Sequence, residues 1–308
     1  MSPSASEMIE GMERGESVLR TFGKPGRRLK RKIAPAGFLC RVLFFTIFNP
    51  IFLLRARMNP NVWQSRRRVA ARNARFFFPF SIKGYEGAPT DRGKIIVINH
   101  PTLNDPLCAI IHALESFAGE IIVPVNLPWY ESICRYRKKL LGAGIKLVPI
   151  LTPETAKRLG TENHISNTQT TLVANYTAEF AKTIADGGIA VVAQQATRQR
   201  YLFTNPSQAE TGDGILSTVT FILLSMRRAK ILEKTEVIPI GVIPYDFSAK
   251  PNLNPFRKYT LNIEEPILAA NLAAEKNAAK YSADLAVLKH LEELLPEEYH
   301  CKEKIRKE

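Results

Sequence analysis

The sequence predicts an α/β protein with a mainly parallel central sheet and helices on both faces, preceded by an N-terminal two-helix membrane-associating motif. Three observations predict it. From residue 94 onward, short apolar runs alternate with longer segments of helical pattern. The first run, Ile95 to Ile98, is continuously apolar and mostly β-branched, as a strand buried on both faces requires. Ahead of it lies a dense apolar and aromatic stretch set between basic clusters.

The first 33 residues are polar, carry Gly and Pro, and lack apolar periodicity, so a disordered basic N-terminus is expected over 1–33. It ends in the cluster Arg27-Arg28-Leu29-Lys30-Arg31-Lys32. Residues 34–80 form the expected membrane-associating segment. Gly37 to Leu54 reads GFLCRVLFFTIFNPIFLL. As one straight helix it is roughly 27 Å long, close to a hydrocarbon core. Arg41 inside it, the Asn49-Pro50 break, and basic residues on both flanks favour a monotopic anchor over a simple crossing. A second basic helix from about Val62 to Phe78 then lies on the surface. The competing reading is a core helix of a soluble protein.

Residues 81–268 form the expected main domain. Its strands are Ile95–Ile98, Ile121–Val125, Ile145–Ile150, Gly188–Ala193, Val237–Ile243 and an edge-like Tyr259–Ile263. Its helices are a segment entered at Leu107, Trp129–Leu141, Thr168–Asp186 closed by Gly187-Gly188, and Ile215–Lys230. The alternation implies parallel strands joined by crossover helices. The last segment, 269–308, is a charged helix from Asn271 to Leu295 and a tail.

The chain is organised around Lys94 to Leu107, KIIVINHPTLNDPL. A histidine stands at the carboxyl end of a buried strand, and Thr102, Asn104 and Asp105, all helix-capping types, precede the next helix. In open α/β sheets that crevice is where ligands bind. A tight turn can fold Asp105 back onto His100, fixing its tautomer and stabilising the imidazolium. The second ring nitrogen is then left to take a proton from a hydroxyl, as a general base does. The bare pair fits equally a capped helix start beside a loop-bonded histidine.

The segment NHPTLND resembles the first motif of the glycerophospholipid acyltransferase family, the PlsC-like enzymes: Asn-His, four residues, Asp. Ile82-Lys83-Gly84-Tyr85-Glu86 is similar to the Val-x-Gly-x-Glu strand that precedes it there. The resemblance runs from about Arg41 to about Pro266. It implies His100 as base, Asp105 as its orienting carboxylate and Asn99 among the substrate-binding residues. A further family motif, Phe-Pro-Glu-Gly-Thr-Arg, is similar to Ala193-Gln194-Gln195-Ala196-Thr197-Arg198. Thr197 and Arg198 match. Gln195 replaces Glu and Ala196 replaces Gly. The resemblance implies that Arg198 grips the acceptor's phosphate, with Thr197 and Gln195 beside it; a guanidinium suits a forked grip on phosphate oxygens. A solvated surface arginine is the other reading. Gly144-Ile145-Lys146 keeps the glycine and strand of a third motif but not its arginine, leaving Lys146 as a point charge. Val237-Ile238-Pro239-Ile240 resembles the last motif, and reads equally as core strand.

The expected activity is therefore a membrane-surface O-acyltransferase. Acyl-CoA or acyl carrier protein is the donor, and a glycerol lysophospholipid hydroxyl is the acceptor. Membrane lipids are its partners and no prosthetic group is needed. The changed Gln195 keeps open an acceptor without phosphate, such as an ornithine lipid or glycolipid. A non-catalytic basic peripheral membrane protein is the alternative from another class.

Charge and cysteines agree with that expectation. Lys+Arg number 43 against 29 Asp+Glu, a formal +14, which suits an anionic partner. No nucleic-acid motif accompanies it. Cys40, Cys108, Cys134 and Cys301 are scattered, with no Cys-x-x-Cys pair and no His/Cys cluster at zinc spacing, so no metal site is expected. The thiols read as reduced, and the location as the cytoplasmic face of a membrane, with no cleaved signal peptide. His112, His164, His290 and His300 carry no assigned chemistry.

Overall fold

The computed structural model describes residues 67–302 apart from 69, 73, 76–77, 86–90, 102–104, 127–129, 131–136, 151–175, 195–200, 213–214, 216–217, 246–257 and 275–281. The Gly37–Leu54 stretch lies outside the described residues. Among those described, no helix is long and apolar enough to cross a membrane.

The strands are β1 (Phe80–Gly84), β2 (Gly93–Ile98), β3 (Ile121–Asn126), β4 (Ile145–Ile150), β5 (Ile189–Ala193), β6 (Thr235–Pro244), β7 (Tyr259–Ile263) and β8 (Ile267–Leu268). The helices are α1 (Asp105–Ser116), α2 (Arg137–Gly142), α3 (176–185), α4 (Pro206–Thr211), α5 (Thr218–Arg228), α6 (Ala269–Ala274) and α7 (Ser282–Leu294). The chain divides into two compact units. The smaller holds α2 and β4. The larger holds α1, α4 to α7 and most of the sheet.

In the larger unit the strand order is β1-β7-β6-β2-β5-β3, with β8 beside β6. Pairings β2–β5, β2–β6, β3–β5 and β1–β7 are parallel, whereas β6–β7 and β6–β8 are antiparallel. The expected mainly parallel sheet is therefore present. All six residues of β2 are buried, which is why its apolar run does not alternate.

Helices cover both sides of this sheet. Lys94 points to α1, its Nζ 5.3 Å from the Phe117 ring just beyond that helix. Gly93 faces the opposite way, since a side chain there would run into Ile184 of α3. By register Gly241 of β6 shares the side of Gly93, and there Leu294 and Leu295 close in from α7.

The expectation of an edge position for Tyr259–Ile263 is corrected. β7 has β6 on one side and β1 on the other, so β1 is the outer strand. The pattern explains the misreading. Tyr259, Leu261 and Ile263 are buried while Thr260 and Asn262 are half-buried, an alternation that describes faces and not neighbours. Of the single helix expected from Asn271 to Leu295, α6 covers the described residues to Ala274 and α7 those from Ser282, and 275–281 lie outside the described residues. α4 was not expected, although Asn205 caps it by accepting from the Gln208 N–H.

The Gly187-Gly188 closure is as read. Gly187 has φ +76°, Gly188 N–H donates to Thr183 O at 2.8 Å, and Gly187 N–H donates to Ile184 O at 3.0 Å. This is the two-bond helix ending that needs a left-handed residue, and it turns the chain straight into β5.

Within 67–75 the described residues are helical, as the second basic helix requires. Ala71 is fully buried, and Arg75 is fastened to the sheet unit. Its Nη1 lies 2.8 Å from Glu115 Oε2, and its guanidinium sits 4.5 Å over the Phe80 ring. Arg68 and Arg72 are exposed.

Candidate active site

Strand β2 ends at Ile98, and the next three residues decide what the site can do. Asn99 is 2% exposed, and its amide is spent on one residue of the adjacent strand. Its Nδ2 donates to Val242 O at 3.0 Å, and its Oδ1 accepts from Val242 N at 2.6 Å. Beyond Ile98 the side chain thus replaces the backbone ladder and pins the end of β2 to β6. Asn99, expected among the substrate-binding residues, thus forms a clamp immediately before the histidine.

His100 emerges from this clamp half-buried, with 15% of its side chain exposed. Asp105, fully buried, is the first residue of α1. His100 Nδ1 lies 3.2 Å from Asp105 Oδ2. With Asp105 accepting as a carboxylate, the pairing fits the His100 tautomer that carries its proton on Nδ1. Asp105 also sits at the positive end of the helix dipole, where negative charge is favoured. Cys108, one turn further along α1, is no competing nucleophile. Burial pushes its thiol well up, and the charge of Asp105 adds to the effect.

Pro239 lies next to Val97 in a strand bonded on both sides, where a proline is unexpected. Its position resolves this. On the side away from β2, β6 pairs β8 at Glu236–Val237 and β7 from Ile240 onward, so Pro239 falls at the change of partner. Its carbonyl still accepts from the Glu264 N–H at 3.2 Å.

The second expected motif begins at the carboxyl end of β5. Gln195, Thr197 and Arg198 lie outside the described residues. Gln194, directly before them, is 1% exposed, and its N–H donates to Ile98 O at 3.1 Å. The two motifs therefore leave from adjacent strand ends. Lys146 is half-buried on β4, in the smaller unit.

Sequence reasoning missed Asp284, the buried carboxylate that organises this end of β5. Its Oδ1 accepts from Gln194 Nε2 at 2.6 Å and from Val219 N at 2.8 Å. Its Oδ2 accepts from Thr220 N at 3.0 Å and from the Thr220 hydroxyl. Asp284 thus caps α5 from α7 and holds Gln194 at once. Burial raises its carboxyl, and the hydrogen bonds from Thr220, Gln194 and Val219 oppose that rise. The continuous helix expected from Asn271 to Leu295 placed Asp284 in its middle, where nothing in the sequence marked it.

The remaining described histidines are engaged elsewhere. His112 is buried, bonds Ser116 Oγ at 3.2 Å and packs edge-on to Phe117. Burial, with the charge of Arg75, pushes its imidazole down to about 4, so it is neutral at pH 7. His300 Nε2 donates to Leu295 O at 2.8 Å. His290 faces Glu264.

Fold and site together define a mostly parallel α/β protein with a histidine–carboxylate pair at the carboxyl end of a central strand. No protein-family model matches the chain, and no curated protein matches its sequence. Among solved structures, the chain is similar to the 1-acyl-sn-glycerophosphate (LPA) acyltransferase PlsC from Thermotoga maritima. The identity is 16% over 83% of this chain and 96% of that one, with a TM-score of 0.41.

Proposed function

We propose that this protein is an O-acyltransferase that moves a fatty acyl group from a thioester donor, acyl-CoA or acyl carrier protein, to the hydroxyl of a glycerol lysophospholipid. One observation carries the proposal. The Asn-His-x4-Asp spacing closes into a pair, with His100 Nδ1 3.2 Å from a wholly buried Asp105.

In this mechanism His100 Nε2 removes the proton of the acceptor hydroxyl as its oxygen attacks the thioester carbonyl. Asp105 stabilises the imidazolium that results. The tetrahedral intermediate collapses with cleavage of the carbon–sulfur bond, and the imidazolium returns its proton to the departing thiolate. The buried neutral thiol of Cys108 fits direct transfer, without an acyl-enzyme on this helix. Arg198, with Thr197 and Gln195, is assigned to the acceptor phosphate, and Lys146 to a supporting positive charge. The enzyme works at the cytoplasmic face of a membrane, held by the Gly37–Leu54 segment and drawn to anionic lipid by its surplus of 14 positive charges. No metal or prosthetic group takes part in the transfer.

The test is acyl transfer from labelled long-chain acyl-CoA, and separately acyl carrier protein, into lysophosphatidate in mixed micelles. Wild type forms phosphatidate, and His100→Ala loses about a hundredfold or more. Near-normal turnover by His100→Ala overturns the mechanism. A clear preference for an acceptor without phosphate, in a panel including ornithine lipid and glycolipid, overturns the assignment of Arg198.

A further inference from the structure

Away from His100, the structure gathers three metal-ligating side chains on the far side of β6. Glu264 follows the last residue of β7. His290 and Glu293 stand three residues apart on α7, on one helix face. One ligand atom from each lies within 4.8 Å of the others. Glu264 Oε1 is 2.7 Å from His290 Nδ1. Its other oxygen, Oε2, is closed off from solvent and has no hydrogen-bond partner among the described residues. A buried carboxylate oxygen in that condition is costly, and a cation is one partner that satisfies it.

We propose that Glu264, His290 and Glu293 form a binding site for one divalent transition-metal ion, Zn2+ by the chemistry of the set. Two carboxylates balance the dipositive charge. An imidazole ligand favours zinc over magnesium or calcium, which prefer all-oxygen shells. Three protein ligands with a water in the fourth position make an ordinary zinc coordination number. Zinc bonds of about 2.0–2.2 Å place neighbouring ligand atoms roughly 3.3 Å apart in a tetrahedron. Glu264 Oε1 and His290 Nδ1, 2.7 Å apart, stand somewhat closer than that, and ligand atoms of all three residues lie within 4.8 Å of one another. Glu293 is exposed, so its side chain is able to rotate inward. The ion clips α7 to the end of β7. Because α7 also carries Asp284, the clip steadies the helix that holds Gln194.

The experiment is equilibrium dialysis of the full chain, stripped with chelator, against micromolar Zn2+, with metal counted per chain and thermal unfolding followed in parallel. The expected result is one Zn2+ per chain and a rise of several degrees in Tm. Both effects are lost in His290→Ala and in Glu293→Gln, the second at an exposed position where folding is not at stake. Both are kept in His100→Ala, which separates this site from the acyl-transfer reading. No uptake by wild type, retention of uptake in either site variant, or loss of it in His100→Ala overturns the proposal.

Discussion

Gln194, the last described residue of β5's exit, is held by Asp284, 90 residues away, through a 2.6 Å hydrogen bond from Nε2 to Oδ1. The same carboxylate takes the first free N–H groups of α5 at Val219 and Thr220. One buried side chain therefore serves as helix cap, interhelix link and anchor for the chain entering Gln195. Replacing Asp284 with Ala takes the acceptor from two buried donors, Gln194 Nε2 and Val219 N–H, and from the half-buried N–H and hydroxyl of Thr220. Lost caps cost about 0.5–2 kcal/mol, and unsatisfied buried groups about 1–3 kcal/mol each. The expected loss is about 3 kcal/mol of stability, read from urea unfolding. A change below about 0.5 kcal/mol contradicts the role given to Asp284.

Asn99→Ala tests the clamp on β2. It leaves both the N–H and the C=O of Val242 without their side-chain partner, inside the protein. Stability is expected to fall by about 2 kcal/mol. Acyl transfer is expected to fall more than tenfold under conditions where the variant remains folded, because His100 loses its fixed starting point. Asn99→Asp discriminates further. The carboxylate keeps the bond from Val242 N–H but repels Val242 O, so it is no better than alanine.

How much of this was legible in the sequence follows the range of each interaction. The His100–Asp105 pair is local, five residues apart, and its spacing and capping residues were visible. So was the burial of β2, because a strand covered on both faces reads as an uninterrupted apolar run. The Gly187-Gly188 helix ending is local as well. Strand order was not visible: the alternation of β7 shows which residues face the core and nothing of which strands flank it. Asp284 and Gln194 were individually unremarkable polar residues. Their meaning is the contact between them, and that contact spans 90 positions. The metal-ligating set joins residues 26 positions apart, and no Cys or His spacing announced it.

Asp105→Asn separates orientation from mere occupancy. The amide keeps the size of the carboxylate but removes the negative charge that stabilises the imidazolium, and it offers an N–H in place of an acceptor to one tautomer of His100. The fold is expected to persist, with a circular dichroism spectrum like that of wild type. Turnover is expected to fall by about a hundredfold or more, with KM changed far less than kcat, since the lost interaction develops as His100 gains its proton. A rise in KM with kcat preserved would instead make Asp105 a ground-state contact.

His112 gives a pH prediction whose sign is fixed by its surroundings. Its folded value is pushed down from 6.5 to about 4, chiefly by burial, with the positive Arg75 adding to it. The unfolded chain therefore takes up a proton that the folded chain refuses. Stability is intact above pH 6.5 and is lost progressively as pH falls from 6.5 toward 4. From these two values the loss is about 2 kcal/mol by pH 5 and about 3 kcal/mol by pH 4. Other groups titrate in the same window, so the measurement is a difference. Urea midpoints for wild type and His112→Asn are compared at pH 7 and pH 5. Asparagine retains a polar group for Ser116 but does not titrate, and it lowers stability at both pH values through the poorer fill beside Phe117. The expected outcome is that wild type loses about 2 kcal/mol more than His112→Asn between pH 7 and pH 5. Parallel losses in the two proteins would mean that His112 accepts its proton in the folded state as readily as in the unfolded one, and that its burial beside Arg75 does not govern acid stability.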